Sequence, residues 1–323
     1  MFSMIIVLPL VILWLTYRWF RHKNTIDNYD SRYVFITGCD NGFGNMLAKR
    51  LDGLGFNVFA GCLTQDGEEK LTLETSEKVK TIRIDVSKTE SIEDAFNTVK
   101  SSLHSDTGLW GVVNNAGITG NVGPVEWLTR KDYQAAFEIN TLGMVETTRI
   151  FLPLIIKEKG RIVNITSMMG RIAAANPTYI VSKFAAEGYS DVLRREVYNR
   201  GVTVHILEPG FFRTNLIDVE RLCSAADNSF GGISSKLKQY YGQGYVEEWK
   251  DITTKTITNL GSPHTHLVVN AYVHALTSKY PKYRYLVGND VKYIFRILWN
   301  LPEWISDYLL TRTAILPQAE RNS

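Results

Sequence analysis

Short runs of β-branched and aromatic residues alternate along this chain with longer stretches of helical period. Residues 33–37, 57–62, 81–85, 110–114, 161–166 and 202–207 read as strands. Between them Phe43, Leu47, Leu51 and Leu54, and again Ile92, Phe96 and Val99, recur at the spacing of amphipathic helices. Regular alternation of this kind predicts an α/β domain whose parallel sheet is covered on both faces, in the doubly wound manner. A seventh strand is expected at 284–287, after a helix at 266–277. Two stretches break the rhythm. Residues 215–260 are rich in Gly, Ser, Tyr and charge without strand runs, and read either as a lid over a site or as a surface excursion. Residues 291–310 interleave Tyr293, Phe295, Trp299, Trp304 and Tyr308 with Ile and Leu, the pattern of a core-packed helix or of one that meets a bilayer or closes a pocket.

Ahead of the first strand, residues 1–17 carry no charge, and 4–15 are nearly all Ile, Leu, Val and Trp. An aromatic and basic collar follows, from Tyr17 and Arg18 through Trp19, Phe20, Arg21 and His22 to Lys23. The expectation is a membrane anchor helix over 1–23, slightly short for a full span but served by tilt and by a snorkelling Arg18. A cleaved signal peptide would place its positive charges before the apolar run and small residues after it, the reverse of what is found. A first helix packed on the domain is the other alternative. Charge placement then puts the catalytic domain on the cytosolic side. The organisation expected is an anchor at 1–23, one catalytic domain over 30–290 carrying the 215–260 insertion, and an aromatic extension at 291–323.

Composition narrows the function classes. Of the 36 basic residues, Arg18, Arg21 and Lys23 account for the whole net charge of +3, so the remainder balances 33 against 33. That leaves no basic surplus for a nucleic-acid surface. Cys39, Cys62 and Cys223 are an odd number without metal-ligand spacing, which fits a reducing compartment and no metal. The one glycosylation sequon, at Asn164, falls in a predicted buried strand and argues for nothing lumenal.

Chemistry enters at the first strand's end. There T-G-C-D-N-G-F-G runs from Thr37 to Gly44 and leads into a helix. Gly38 suits the tight turn, Gly42 a bare backbone against a pyrophosphate and Gly44 close helix packing, while the helix N-terminus faces the phosphate charge. Asp40 and Phe43 sit inside this loop and join it as candidate cofactor contacts. Asp40, and no Lys or Arg at 62–66, favours NAD over NADP as the cofactor. Further on, Tyr179 and Lys183 stand one helical turn apart and so share a face. With 16 tyrosines, such a pair arises about once by chance. Ser167 changes that, because it ends the fifth strand on the sheet edge where open parallel sheets bind ligands. Oxidising an alcohol by hydride transfer needs a base for the hydroxyl proton. A tyrosine with its usual pKa near 10 serves only if cations, Lys183 and an oxidised nicotinamide, stabilise its phenolate. Ser167 would hold the substrate oxygen near Tyr179.

The T-G-x-x-x-G-x-G spacing with this Ser, Tyr and Lys resembles the short-chain dehydrogenase/reductase family, a Rossmann fold, and the resemblance spans nearly everything after residue 23. It implies further site residues. Asn114, Asn115, Ala116 and Gly117 fall in the family's N-N-A-G segment, which braces the sheet and approaches the adenosine ribose. Asp85 matches its adenine-contacting acid, though a helix cap is an equal local reading. Asn140, in F-E-I-N, matches the position that holds a water in a proton relay to the lysine. Pro209, Gly210 and Thr214 match P-G-x-x-x-T around the nicotinamide. T-G-C-D-N-G-F-G, G-L-W-G-V-V-N-N-A-G and E-P-G-F-F-R-T-N look like the retinol and hydroxysteroid dehydrogenase branch, while V-F-A-G-C-L and S-M-M-G-R look like its 3-hydroxybutyrate dehydrogenase. The branch implies a lipophilic alcohol as substrate, the endoplasmic reticulum membrane rather than the mitochondrion as location, and room for a homodimer.

Overall fold

A computed structural model describes residues 2–321 apart from Ala175 and Thr313; the side chains of residues 2–8, Val11, Arg18, Phe20 and His22 lie outside that description. Seven strands, β1 (Tyr33–Thr37), β2 (Asn57–Cys62), β3 (Val79–Arg83), β4 (Gly111–Asn114), β5 (Arg161–Ile165), β6 (Thr203–Pro209) and β7 (Arg284–Val287), form one sheet in the order β3-β2-β1-β4-β5-β6-β7. Every pairing is parallel. The chain therefore leaves β1 in one direction and β4 in the other, and a crevice opens above their carboxyl ends.

Because strand side chains alternate, the two faces have separate cores. Val34, Ile36, Val58 and Ala60 pack with Leu47 and Leu51 of α2 (Gly42–Asp52) and with Val268, Tyr272 and Leu276 of a helix at His266–Thr277. Phe35 and Phe59 face the other way, onto Ile92 and Val99 of α4 (Thr89–Ser102), Phe151 and Ile155 of α6 (Gly143–Lys157) and Leu193 of α7 (Pro177–Glu196). The remaining helices are α1 (Phe2–Lys23), α3 (Gln65–Leu73), α5 (Arg130–Phe137), α8 (Val219–Gly232), α9 (Ser235–Tyr241), α10 (Gln243–Leu260), α12 (Arg296–Leu298) and α13 (Glu303–Thr311), the helix at 266–277 being α11.

β1, β2, β7 and α11 fall where the pattern placed them. β3 begins and ends two residues earlier than expected, yet its ladder runs on, since the Ile84 amide still donates to the Cys62 carbonyl at 2.9 Å. The 215–260 stretch is not a loop: α8, α9 and α10 fill it, with Leu222, Ala226 and Ile257 packed on Val122, and Tyr241 and Val246 packed on Trp127. Its apolar residues have helical spacing, but Gly, Ser and Tyr dilute them.

Residues 291–311 form a π-helical turn (Val291–Phe295) followed by α12 and α13. Val291, Phe295, Leu298, Trp299 and Leu310 pack inward, whereas Tyr293, Ile297, Trp304 and Tyr308 are exposed. The core-packed expectation for this stretch thus holds for one face, while the other face is exposed. The continuous helical run Arg130–Lys157 is long and apolar enough to cross a membrane. Its Ala136, Met144, Phe151 and Ile155 are buried, so it is a core element. Much of the apolar run of the expected anchor has side chains outside the described residues. From residue 9 to 19, every described side chain is exposed. The segment after α1 is tied to the end of α11, through Ile26 N–H to Thr277 O at 2.7 Å and Lys279 N–H to Asn24 O at 2.8 Å.

Candidate active site

The glycine loop has a shape only glycines permit. Gly38 has φ 71° and Gly42 φ 62°. A Cβ on Gly38 would lie 2.8 Å from the Ala116 Cα, and one on Gly44 2.5 Å from Asn115 Nδ2, whereas nothing stands within 4 Å of the Gly42 position. Asn41, at the N-cap of α2, makes no side-chain cap bond, so the first amides of that helix face the open side of the loop. Positive φ, free space over Gly42 and an uncapped helix end together fit a dinucleotide pyrophosphate.

The loop is fastened from behind. Asn115 Nδ2 donates to the carbonyls of Thr37 (2.9 Å) and Gly38 (3.0 Å), Tyr272 donates to Asn115 Oδ1 at 2.9 Å, and the Thr37 hydroxyl accepts from the amides of Asn115 and Ala116. Thr37 and Asn115 belong to the two motifs read from the sequence, whereas Tyr272 of α11 was not among the expected site residues. Asn114 points into the core, donating to Thr148 (2.9 Å) and Asn164 (2.8 Å), so its side chain braces the sheet at β4. Phe43 meets Phe212 edge-on at 6.1 Å, which joins the glycine loop to the turn after β6.

Asp40 reaches across to the end of β2. Its carboxylate accepts from the amides of Leu63 and Thr64, both at 2.8 Å, and from the Thr64 hydroxyl at 2.7 Å. Asp66, a few residues beyond this strand end, pairs with Lys70 on the surface of α3. Asp85 is occupied locally. Burial would raise its pKa, but the hydroxyl and amide of Ser87 and the Lys88 ammonium hold it below the usual carboxylate range.

At the end of β5, Ser167 caps a 3-10 turn and its hydroxyl accepts from the Met169 amide at 3.1 Å. Pro177 opens α7, a position where its missing N–H costs nothing, and this places Tyr179 in the first turn and Lys183 one turn on. Burial pushes the Tyr179 phenol up to about 12, and the Ser167 hydroxyl acts on the buried phenol in the other direction, drawing its pKa down. Lys183 Nζ donates to the Ile165 carbonyl at 3.1 Å and lies 5.6 Å from the Tyr179 ring centre. Burial pushes the ammonium down to about 8, and the Glu187 carboxylate opposes that fall.

Asn140 lies in a π-helical turn (Glu138–Leu142) between α5 and α6. Its side chain is fully engaged, accepting from the Ile118 amide at 2.8 Å and donating to the Ile118 carbonyl and the Ser182 hydroxyl, both at 2.9 Å. It thereby clamps the segment after Gly117, whose missing Cβ would otherwise stand 3.1 Å from Asn140 and 3.7 Å from Lys183 Nζ. Pro209 ends β6, and a Cβ on Gly210 would strike the Asp290 carboxylate, which accepts from the Phe211 amide at 2.8 Å. Thr214 stands half-buried at the head of the next 3-10 turn.

Behind the lysine lies a charged cluster absent from the expected set. Arg284 bonds Glu187, Glu208 and Asp191, and Arg171 approaches Glu208 at 3.4 Å. Glu208 is fully buried, one of its oxygens has no partner, and burial followed by repulsion from Glu187 pushes it up to about 7. A glutamate at the end of a buried strand was the available signal. Around the Tyr179 ring the packing is hydrocarbon: Met168, Met169, Ile172, Phe211, Phe295 and Trp299 form one cluster with it.

The arrangement provides a dinucleotide cradle beside the hydroxyls of Ser167 and Tyr179, a buried lysine and an apolar wall. Residues 32–222 match the family described as short chain dehydrogenase. Retinol dehydrogenase 7 of Rattus norvegicus is 40% identical over 311 residues, covering 96% of this chain and 98% of the relative. The 17-beta-hydroxysteroid dehydrogenase type 6 of Bos taurus is 41% identical over 305 residues, 94% of this chain and 96% of that one. Among solved structures, a short chain dehydrogenase/reductase of Burkholderia phymatum, determined in complex with NAD, superposes with a TM-score of 0.70 at 19% identity, covering 90% of this chain and 99% of its own, a likeness of fold.

Proposed function

The chain belongs to the short-chain dehydrogenase family, and we propose that it is an NAD-linked dehydrogenase of a lipophilic alcohol, a retinoid or a hydroxysteroid, with Tyr179 as its acid/base. One observation carries this reading: Tyr179, with Ser167 acting on its phenol, packs against a wall of Met, Ile, Phe and Trp side chains. Such a wall stabilises hydrocarbon by about 25 cal/mol per Å² removed from water. A small hydroxy acid would need a cation for its carboxylate, and the nearby Arg171 is already engaged with Glu208 and stacked on Trp299 at 5.4 Å, so the 3-hydroxybutyrate reading loses ground.

Gly38, Gly42, Gly44 and the N-terminus of α2 would hold the pyrophosphate, and the Asp40 carboxylate at the end of β2 favours a ribose hydroxyl there over a phosphate. When bound, the nicotinamide accepts the hydride. The protein's own part is proton management. Ser167 holds the substrate oxygen, Tyr179 takes the hydroxyl proton, and Lys183 supplies the positive charge that makes a phenolate attainable.

The exposed apolar side chains of α1 and the exposed face of 291–311 support association with a membrane, that of the endoplasmic reticulum on the branch resemblance, with the catalytic domain in the cytosol. Val181, Phe184 and Val192, exposed along α7, support a homodimer. The test is a steady-state screen of retinoids, hydroxysteroids and 3-hydroxybutyrate with NAD and NADP. Turnover of a retinoid or steroid alcohol with NAD, abolished in Tyr179→Phe, is expected. Turnover of 3-hydroxybutyrate alone, or full activity in Tyr179→Phe, would overturn the reading.

A further inference from the structure

We propose that Glu187 is a positioning residue for proton transfer, an anionic brace that holds Lys183 as an ammonium beside Tyr179. The proposal rests on the reading of Tyr179 as acid/base and adds the group that keeps its cation charged.

Glu187 follows Lys183 by one turn of α7, with its side chain 7% exposed. Both of its oxygens are held: the Thr166 hydroxyl donates to one and Arg284 to the other. Thr166 immediately precedes Ser167, so the same carboxylate is fixed to the strand end that carries the substrate-facing hydroxyl. Gly170 makes the fit possible, since a Cβ there would lie 2.9 Å from both the Glu187 Cγ and the Lys183 carbonyl oxygen. A buried carboxylate is expensive unless it is paired. If neutralising Arg284 were the purpose, Glu208 and Asp191 already bond that guanidinium. What Glu187 alone adds is its place one turn from Lys183, where its charge acts on the ammonium.

The surroundings of Lys183 leave this role to it. From β5 comes the Ile165 carbonyl, from the π-turn the neutral Asn140, and from α7 itself Tyr179 and Glu187. Glu208 of β6, Arg284 of β7, Arg171, and Asp191 with Arg194 of α7 complete the ionised groups on the far side of Glu187. Lys183 is 3% exposed, and burial acts to strip its proton. Without the carboxylate, Lys183 becomes neutral at a lower pH. Tyr179 then keeps its proton to a higher pH, so alcohol oxidation, which needs the phenolate, moves to more alkaline conditions.

The full-length protein carrying Glu187→Gln tests this. Removing an opposite charge at one-turn distance should raise the pH of half-maximal alcohol oxidation by about one unit and lower turnover at pH 7 roughly tenfold. NADH affinity, read by fluorescence, should be unchanged. Ultraviolet titration of tyrosinate in cofactor-free protein, taken as the difference from Tyr179→Phe, should show the same upward displacement. Glu187→Asp keeps the charge but withdraws it by one methylene, and should give a smaller displacement in the same direction; it decides the matter if Glu187→Gln does not fold. Unmoved profiles in the folded variants overturn the proposal while leaving Tyr179 in its role, whereas undiminished activity in Tyr179→Phe removes the premise itself.

Discussion

On the proposed NAD-linked reading, the part Asp40 would play in cofactor choice can be sized. Replacing it by Asn keeps the shape and lets one oxygen go on accepting from the Thr64 amide and hydroxyl, while the Leu63 amide, 2.8 Å from the other oxygen, loses its acceptor. That is one charge-assisted bond at a partly exposed site, a loss of about 1 kcal/mol in stability. The larger effect is electrostatic. A 2′-phosphate brought to within about 5 Å of this carboxylate carries nearly two negative charges, and at close to the dielectric of water the repulsion is about 2 kcal/mol. Removing the charge should therefore raise kcat/KM for NADP relative to NAD by about thirtyfold, at 1.4 kcal/mol per decade, with the NAD value nearly unchanged. Because the carboxylate is partly solvated, the gain should shrink in high salt. Initial rates with both cofactors, in low and high salt, measure it. A ratio that moves less than about threefold would refute the argument and return the choice to the backbone of the 62–66 loop.

Two further outcomes follow from the packing. Phe295→Ala removes a ring that lies 6.3 Å from Phe211 in the cluster around Tyr179; stability should fall by about 3 kcal/mol in urea titrations, and KM for a retinoid or steroid alcohol should rise far more than KM for a short alcohol. His205 is fully buried between the Lys282 carbonyl at 2.7 Å and the Thr203 hydroxyl at 2.9 Å, and burial pushes it down to about 3. Its folded pKa lies below its unfolded one, so the unfolded chain binds the extra proton first and stability is lost as pH falls from about 6.5 toward 3, by on the order of 4 kcal/mol in all. His205→Gln should flatten that part of the stability profile, and an unchanged slope would contradict it.

The sheet was legible because its strands are short apolar runs between helices of clear period, and the hydroxyls of Ser167 and Tyr179 because their strand-end and first-turn placements are dictated by chain order. The 215–260 helices were not, since Gly231, Gly232 and Gly244 and several tyrosines dilute a period carried by only a few residues, Leu222, Ala226, Val246 and Ile257. The division of labour within the N-N-A-G segment was not legible for a different reason. Two adjacent asparagines carry the same chemistry, and only the pleat of β4 decides that Asn114 braces the core while Asn115 fastens the glycine loop. The Arg284 cluster is invisible in sequence because Glu187, Glu208 and Arg284 come from three separate elements that meet only across β6 and β7.

The tie between residues 24–26 and 277–279 bears on how a lipid-soluble alcohol would arrive. α11 runs back along the sheet and ends where β7 begins, so α1 leaves the domain at the edge where the parallel strands start. Ser167, Tyr179 and the glycine loop stand at the opposite edge, separated by strands of up to seven residues, or roughly 20 Å. Tethering through α1 therefore does not by itself bring the site to a bilayer. The 291–311 extension does lie at the site's edge, following β7, with Phe295 and Trp299 against the Tyr179 cluster and Trp304 and Tyr308 facing outward at 75% and 68% exposure. On the proposed reading, α1 holds the enzyme near the membrane and this second apolar surface turns the pocket toward it. The wall that selects a hydrocarbon and the surface that meets its source would then be two faces of one segment.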